Sequence, residues 1–577
     1  MIPTSPGVYT QETDLTGSVP AVGTSVGAFV GTFNWGPVLE PTTVTNGTDL
    51  RTQFGTPDSN TATSFFTAWN FLQYSNNIKI VRSLGSGANN ATANAAANAT
   101  YGTVILNDTD YFNNVYSNIY TFSFAARSPA AIGNSLQVYV FANTSGWSTA
   151  SANAADPLYT FANQFSYAPN TSPYVTNVTN GTVSGDEMHI LVVDSKGLIT
   201  GTANTVLEKF QSLSRLKDSM TPDGVSNYYR EYIYQNSKYI FVTGQPTPNT
   251  TGWDITISAA TAIGDLEGYS DARANVAVFQ GGSDGTVTAA NTVTGMAQFQ
   301  SKTAQSIDLW MVGPGGQTET NQAIAYAESR KDCIVLASPP LANVTNPDGP
   351  ATAIVNYAGG LTRSSYAVLD SGWKYQFDQY NNVYRWVPLN GDVAGLCART
   401  DSTNDPWWSP AGLRRGQILN SVKLAYNPDE ADQSTLYQAG IDPVVTFPGE
   451  GTMLYGDKTF LNYSSAFNRI NVRRLFIVLE KSISKAARSS LFEFNDATTQ
   501  AAFVNLVSPF LRQVKGRRGI TSYQVTCDST NNTPAVVNAH QFVGTIYVVP
   551  AQSINYIMLN FVAVNQGVNF SYKVGQV

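Results

Sequence analysis

Ser306–Pro340 reads SIDLWMVGPGGQTETNQAIAYAESRKDCIVLASPP. An apolar run, a glycine-rich turn, a polar stretch of helical character and a second apolar run follow one another. That order predicts strand, turn, helix, strand, the rhythm of an α/β layer. Upstream, VGAFVGTFNWGP (Val26–Pro37) predicts a buried strand ending in a turn, and NIKIVRSL another strand. Between them ATSFFTAWNFLQYS predicts a helix with Phe65, Trp69 and Leu72 on one face. HILVVDSKGLITG reads as ordinary globular sequence, and TANTVLEKFQSLSRLKD predicts an amphipathic helix through Val206, Phe210 and Leu213.

Downstream, NVRRLFIVLEKSISKAARSSLF sets Val472, Leu475, Phe476, Leu479, Ile483 and Ala487 at helical spacing. ATTQAAFVNLVSPFLRQVKG predicts a second helix, capped by Asn495 or Asp496, kinked or restarted at Ser508–Pro509 and closed by Gly516. TSYQVTC, QFVGTIYVV and INYIMLNFVAV predict strands. At the end Val568, Phe570, Tyr572 and Val574 alternate with Asn569, Ser571 and Lys573. This predicts a half-buried strand with no partner a tight turn away.

At 577 residues the chain is too long for one core, so the fold class is α+β and α/β in several domains. Charged residues make up 13%, half of the ~25% usual in soluble proteins, which suits a surface largely covered by other protein. Cys333, Cys397 and Cys527 are uneven in number and far apart, which predicts a reduced compartment and no disulfide framework. The start has no signal-peptide pattern, and no apolar run reaches the ~18 residues of a membrane span. From Ser86 to Gly185 the charged residues are Asp108, Asp110, Arg127 and Asp156, and aromatic-alternating segments predict a polar β region.

The catalytic motifs fail on chemistry. GTSVG (Gly23–Gly27) and GGSDG (Gly281–Gly285) match a nucleophile elbow, but Ser25 precedes a strand and Ser283 lies in a predicted loop. His189 and His540 are the chain's only candidate imidazole bases. GTMLYGDKT (Gly451–Thr459) approaches a phosphate-binding loop, yet Asp457 precedes Lys458 and repels phosphate. GPGGQTE lacks the third glycine of a dinucleotide fingerprint. Two histidines and three scattered cysteines do not make a closed zinc site, and Asp265, Glu267 and Asp271 do not fit a calcium loop.

One charge feature stands out. Arg469, Arg473, Arg474, Lys481, Lys485, Arg488, Arg512, Lys515, Arg517 and Arg518 stand against Glu480, Glu493 and Asp496. This excess of seven positive charges lies in a chain of net charge −7. With no aromatic interleaving or nucleic-acid module, a basic face toward an acidic protein is preferred to nucleic acid or to a merely solvated helix face.

SPGVYTQETD, GAFVGTFNWGP, WWSPAGLRRGQI, VTFPGEGTMLYGDKT, NRINVRRLFIVLEKSI, RGITSYQVTCDSTNNTP and HQFVGTIYVVPAQSINYIMLNFV occur in that order. Together they resemble the contractile tail sheath proteins of long-tailed bacteriophages. VLEKFQSLS and GGSDG resemble that family's middle domain, and 86–185 matches poorly.

The resemblance implies a structural polymer, without catalytic residues, cofactor or metal. It implies an N-terminal arm (1–20) and an inner mixed α/β domain built from 21–85 and 371–566. It further implies a polar β-rich outer insertion (86–185), an α/β middle domain (186–370) and a C-terminal strand arm (567–577). Its partners would be further copies of itself, a tail tube protein, and baseplate and tail terminator proteins. Nucleic acid and membrane insertion are not expected. Its place would be the virion tail, assembled in the host cytoplasm. Arm residues Val8, Tyr9, Thr10 and Gln11, and Val568, Phe570, Tyr572 and Val574, would add strands to another subunit's sheet. Arg473, Arg474, Lys481, Lys485, Arg488, Arg512, Lys515, Arg517 and Arg518 would face the tube. The competing reading is a β-rich glycan-binding or glycan-cleaving tail component, carried by the aromatic stretch 86–185, where cleavage needs a carboxylate pair.

Overall fold

The computed structural model describes residues 23–94, 102–116, 122–245, 252–266 and 274–555. These fall into two compact units, a larger one of 23–406 and 410–484 and a smaller one of 407–409 and 485–555.

The larger unit begins with β1 (Gly27–Gly31), β2 (Thr42–Val44), helix α1 (Ala62–Leu72) and β3 (Ile78–Arg82). The chain then forms a second sheet from β4 (Asn90–Asn94), β5 (Phe122–Pro129), β6 (Leu136–Phe141), β7 (Glu187–Asp194), β8 (Thr205–Ser214), β9 (Ile240–Val242) and β10 (Asn275–Gln280). It returns as β11 (Leu309–Met311), α2 (Gln317–Arg330), β12 (Ile334–Ala337) and β13 (Ala367–Leu369). A three-stranded sheet and a hairpin within 373–454 complete the sheets of this unit.

The first sheet has the order β13-β12-β11-β1-β3-β2, parallel except for β2. A parallel sheet is covered on both faces. Accordingly all five residues of β1 are buried, Phe29 in one core and Ala28 and Val30 in the other. The strand–turn–helix–strand expected over Ser306–Pro340 is β11, α2 and β12. Helix α1 is buried nearly all round, with Trp69 and Leu72 only half-buried, rather than on the single stripe expected. Its neighbour α3 (Asn390–Thr403) comes close because Gly391 has no side chain; a Cβ there would stand 2.4 Å from the Thr67 carbonyl oxygen.

The second sheet is antiparallel, in the order β8-β7-β6-β10-β4-β5-β9. It draws strands from both sides of residue 185, while 186–370 contributes strands to both sheets, so the sheets divide the chain elsewhere than the expected boundaries. Helices Thr144–Ala152 and Pro173–Thr179 also interrupt the expected β region. The excursion closes where it opened: Ser86 and Thr286 exchange two backbone hydrogen bonds of 3.0 Å. Beside this junction the buried Arg82 guanidinium donates to the carbonyls of Phe33 (2.9 Å), Gly36 (3.0 Å) and Pro129 (2.7 Å), the last in the second sheet.

The helix expected through Val206, Phe210 and Leu213 is instead the strand β8. Two register shifts against β7 put an extra residue between Val206 and Glu208 and between Phe210 and Leu213. Ser212 takes a left-handed φ of 55° at the second. The bulges return Phe210 and Leu213 to one face three residues apart and send Val206 to the other, which imitates helical spacing.

Helix α4 (Ile470–Ala487) runs from the larger unit into the smaller, where α5 (Ala497–Gly516) follows. α5 runs through Pro509 as one helix rather than restarting there, its stripe of Phe503, Val507, Leu511 and Val514 buried along both halves; of the kink or restart expected, only the restart is overturned. The Asp496 carboxylate caps it, accepting from the Thr499 N–H at 2.8 Å. The left-handed residue after it is Arg518 (φ 66°), not Gly516. β14 (Ile520–Thr526) and β15 (Thr545–Pro550) form an antiparallel ribbon with a bulge between Ile520 and Ser522.

Candidate functional site

The basic stretch from Arg469 to Arg518 divides at the boundary between the units. In the larger unit its charges are spent internally. Arg474 is buried and pairs with Asp401 at 2.6 Å, its guanidinium also donating to the carbonyls of Cys397 and Thr24, each at 3.3 Å. Arg473 donates to Ser365 Oγ (2.7 Å) and the Tyr366 hydroxyl (3.2 Å), with its guanidinium 3.9 Å from the Phe467 ring centre. Lys481 pairs with Asp308, whose other oxygen accepts from the Val26 N–H at 3.0 Å. Burial pushes the carboxyls of Asp308 and Asp401 up against the pull of Lys481 and Arg474. The assignment of Arg473, Arg474 and Lys481 to a tube-facing surface is therefore corrected. They tie α4 to Asp308 beside β11, to α3, to the segment before β1 and to Ser365 and Tyr366, which occupies their charged ends inside the unit.

The other six, Lys485, Arg488, Arg512, Lys515, Arg517 and Arg518, are exposed and all lie in the smaller unit. The acidic residues between Lys485 and Arg518 are Glu493 and Asp496. Arg512 and Lys515 stand on the open side of α5, away from its buried stripe. Arg517 and Arg518 lie over the rings of Trp407 (5.7 Å) and Trp408 (5.5 Å), and the Trp407 indole N–H donates to the Arg517 carbonyl at 3.1 Å. Gly519 permits this approach, since a Cβ there would stand 3.0 Å from the Trp407 ring. The tryptophans of WWSPAGLRRGQI thus carry two of the six cations, a role the sequence signalled only by their adjacency.

The ribbon β14–β15 packs one face on α5, where the Tyr523 hydroxyl donates to the Ser508 carbonyl at 3.2 Å. Tyr547 and Val549 on its other face are exposed. Among the described residues neither outer edge of the ribbon is paired. A two-stranded ribbon is marginal alone, and its open edges present unpaired N–H and C=O groups. Val8, Tyr9, Thr10, Gln11, Val568, Phe570, Tyr572 and Val574 lie outside the described residues.

The enzymatic candidates resolve into structural roles. His189 is buried, Nε2 at 2.8 Å from the Tyr167 carbonyl and Nδ1 accepting from the Ser212 N–H at 3.0 Å. The Gly316 N–H at the start of α2 donates to the Glu319 carboxylate at 3.1 Å, so the helix supplies its own anion. Lys458 Nζ donates to the Tyr437 carbonyl at 2.6 Å rather than facing a phosphate cradle. Asp108 holds Arg127 through both oxygens (3.0 and 2.7 Å). Asp110 accepts from the Leu106 N–H and Asp156 from the Leu158 N–H. The expected turn at LNDTDYFNN is a short helical run capped by Asn107. Among the described residues no group of three His, Cys, Asp or Glu side chains could hold a metal, and no helix is long and apolar enough to cross a membrane. Cys333, Cys397 and Cys527 are buried and free.

Comparison with known proteins gives three family matches. They are the phage tail sheath protein central domain (residues 285–460), the phage tail sheath C-terminal domain (463–563) and the N-terminal region of tail sheath protein Gp18 domain III (24–82). The tail sheath protein of Enterobacteria phage T4 is 31% identical, with 99% of each chain covered. The tail sheath protein of Vibrio phage KVP40 is also 31% identical over 99% of each. The crystal structure of a sheath tail protein from Listeria innocua has the same fold at 10% identity and a TM-score of 0.51, covering 92% of this chain and 96% of that one.

Proposed function

The chain belongs to the phage tail sheath protein family, and we propose that it polymerises around an inner tail tube and contracts to drive the tube through the host envelope. The ribbon β14–β15, whose outer edges are unpaired among the described residues, is the observation that carries this reading. A strand added there by another copy supplies main-chain hydrogen bonds worth about 0.5–1.5 kcal/mol each. The terminal segments with the alternating residues Val568, Phe570, Tyr572 and Val574, and the N-terminal Val8–Gln11, are the strands offered. Contraction then needs no catalytic group. It needs an extended assembly less stable than the contracted one, with a barrier between.

The six exposed cations face the tube, setting diameter and register in the extended state, and baseplate and terminator proteins close the ends. Assembly takes place in the host cytoplasm and the product is part of the virion tail. Electron microscopy of the intact chain beside one ending at Gln566 tests the polymer. Long hollow tubes lost on truncation are expected, and tubes that survive it overturn strand exchange. Charge reversal at Arg517 and Arg518 weakens assembly on the tube if these cations face it; unchanged tube-bound sheath refutes that placement.

A further inference from the structure

Between α4 and α5 the chain puts three large apolar side chains into solvent within four residues. Leu491 is 61% exposed, Phe492 104% and Phe494 84%. Phe492 also takes a left-handed φ of 71°, a conformation bulky residues rarely adopt. The segment is nevertheless held in place. Asn495 Nδ2 donates to the Gln541 carbonyl at 2.8 Å, its side-chain oxygen accepts from Gln500 at 2.8 Å, and the Asp496 N–H donates to the Phe494 carbonyl at 3.0 Å. A left-handed turn tied down at Asn495 that leaves two phenylalanines in water has the form of a contact waiting for cover.

The position of the knob narrows what covers it. Its tie to Gln541 sets it beside the loop leading into β15, whose open face carries Tyr547 (61% exposed) and Val549 (55%), with Ile554 (83%) beyond. Twenty-two further residues follow Asn555, and their last alternating stretch offers four apolar side chains on one side. The N-terminal stretch Val8–Gln11 offers no comparable set.

We propose that Leu491, Phe492 and Phe494 seat the apolar side of another copy's C-terminal strand, receiving Val568, Phe570, Tyr572 and Val574 as that strand joins the edge of the β14–β15 ribbon. This rests on the strand-exchange reading and assigns it a specific receptor. The knob fixes which face of the exchanged strand turns inward, since only one of its two faces is apolar.

The test uses two full-length populations with different affinity tags, one carrying Phe494→Cys and the other Tyr572→Cys. They are mixed, mildly oxidised and separated without reductant; the three native cysteines are buried. A disulfide-linked species bearing both tags is expected. Its absence from a polymer that still sediments overturns the seat and leaves polymerisation standing. The linked species without any polymer does the reverse, and neither product overturns both. A chain carrying both substitutions that links only to itself overturns the proposal, because its own tail then fills the seat. As a second measurement, Phe492→Ser with Phe494→Ser raises the concentration needed for assembly by about tenfold or more; an unchanged threshold refutes the seat.

Discussion

Replacing Arg474 by Met separates a structural cation from an interface cation. In the folded chain the Arg474 and Asp401 side chains are only 4% and 6% exposed and 2.6 Å apart. The guanidinium also serves the Thr24 and Cys397 carbonyls. Met fills similar volume but leaves the Asp401 carboxylate buried without its counter-charge. Breaking a buried pair from one side costs about 3–5 kcal/mol. Urea unfolding followed by tryptophan fluorescence and circular dichroism reads this as a lower midpoint at unchanged slope. Adding Asp401→Asn to the Arg474→Met variant removes the stranded charge and recovers most of the loss. The reasoning is refuted if the single variant loses under about 1 kcal/mol while its assembly on a tube collapses, for Arg474 would then belong to an interface.

Two further outcomes follow from buried groups. Burial pushes the Asp370 carboxyl up to about 8, against hydrogen bonds from Ser338 and the Gly372 N–H. Its ordinary value in the unfolded chain is lower, so folding takes up a proton, and the stability it contributes is present at low pH and lost as pH rises through about 8. Thermal melts from about pH 6 to 9 are expected to fall more steeply for the native chain than for Asp370→Asn; parallel slopes refute the assignment. Gly391→Ala is expected to destabilise by about 1–3 kcal/mol, reversing the gain of about 0.5–1 kcal/mol usual for Gly→Ala in a helix, because the new methyl meets the Thr67 carbonyl; a raised melting temperature refutes the close crossing.

The sequence made the α/β layer around Ser306–Pro340, β1, β3 and both long C-terminal helices legible, because each carries an uninterrupted apolar period. β8 was illegible for a definable reason. Two bulges each insert one residue, so a strand acquires the spacing of a helix, and only pairing with β7 reveals it. At Pro509 the sequence left a kink or a restart open, and the buried stripe on both sides keeps one helix through it. The basic segment failed because a local charge count cannot see distant counter-ions. Asp401 lies 73 residues from Arg474 and Asp308 173 from Lys481. What remains exposed is the six cations of the smaller unit, together with an apolar knob that no period announces.

The paired ends at Ser86 and Thr286 bear on how such a chain can diversify. Because entry and exit lie side by side, everything between them is a graft on a closed stem. The host sheet runs from β3 to β11 without needing any particular length or content in the graft. Insertions, deletions or a wholly different module can be exchanged there while the strand order of the parallel sheet stays unchanged. Arg82, holding carbonyls of the turn after β1 and of β5, is one rivet such an exchange must refit; Ser128 Oγ, which accepts from the Gly36 N–H at 3.1 Å, and Trp35, packed into the core of the second sheet, are others.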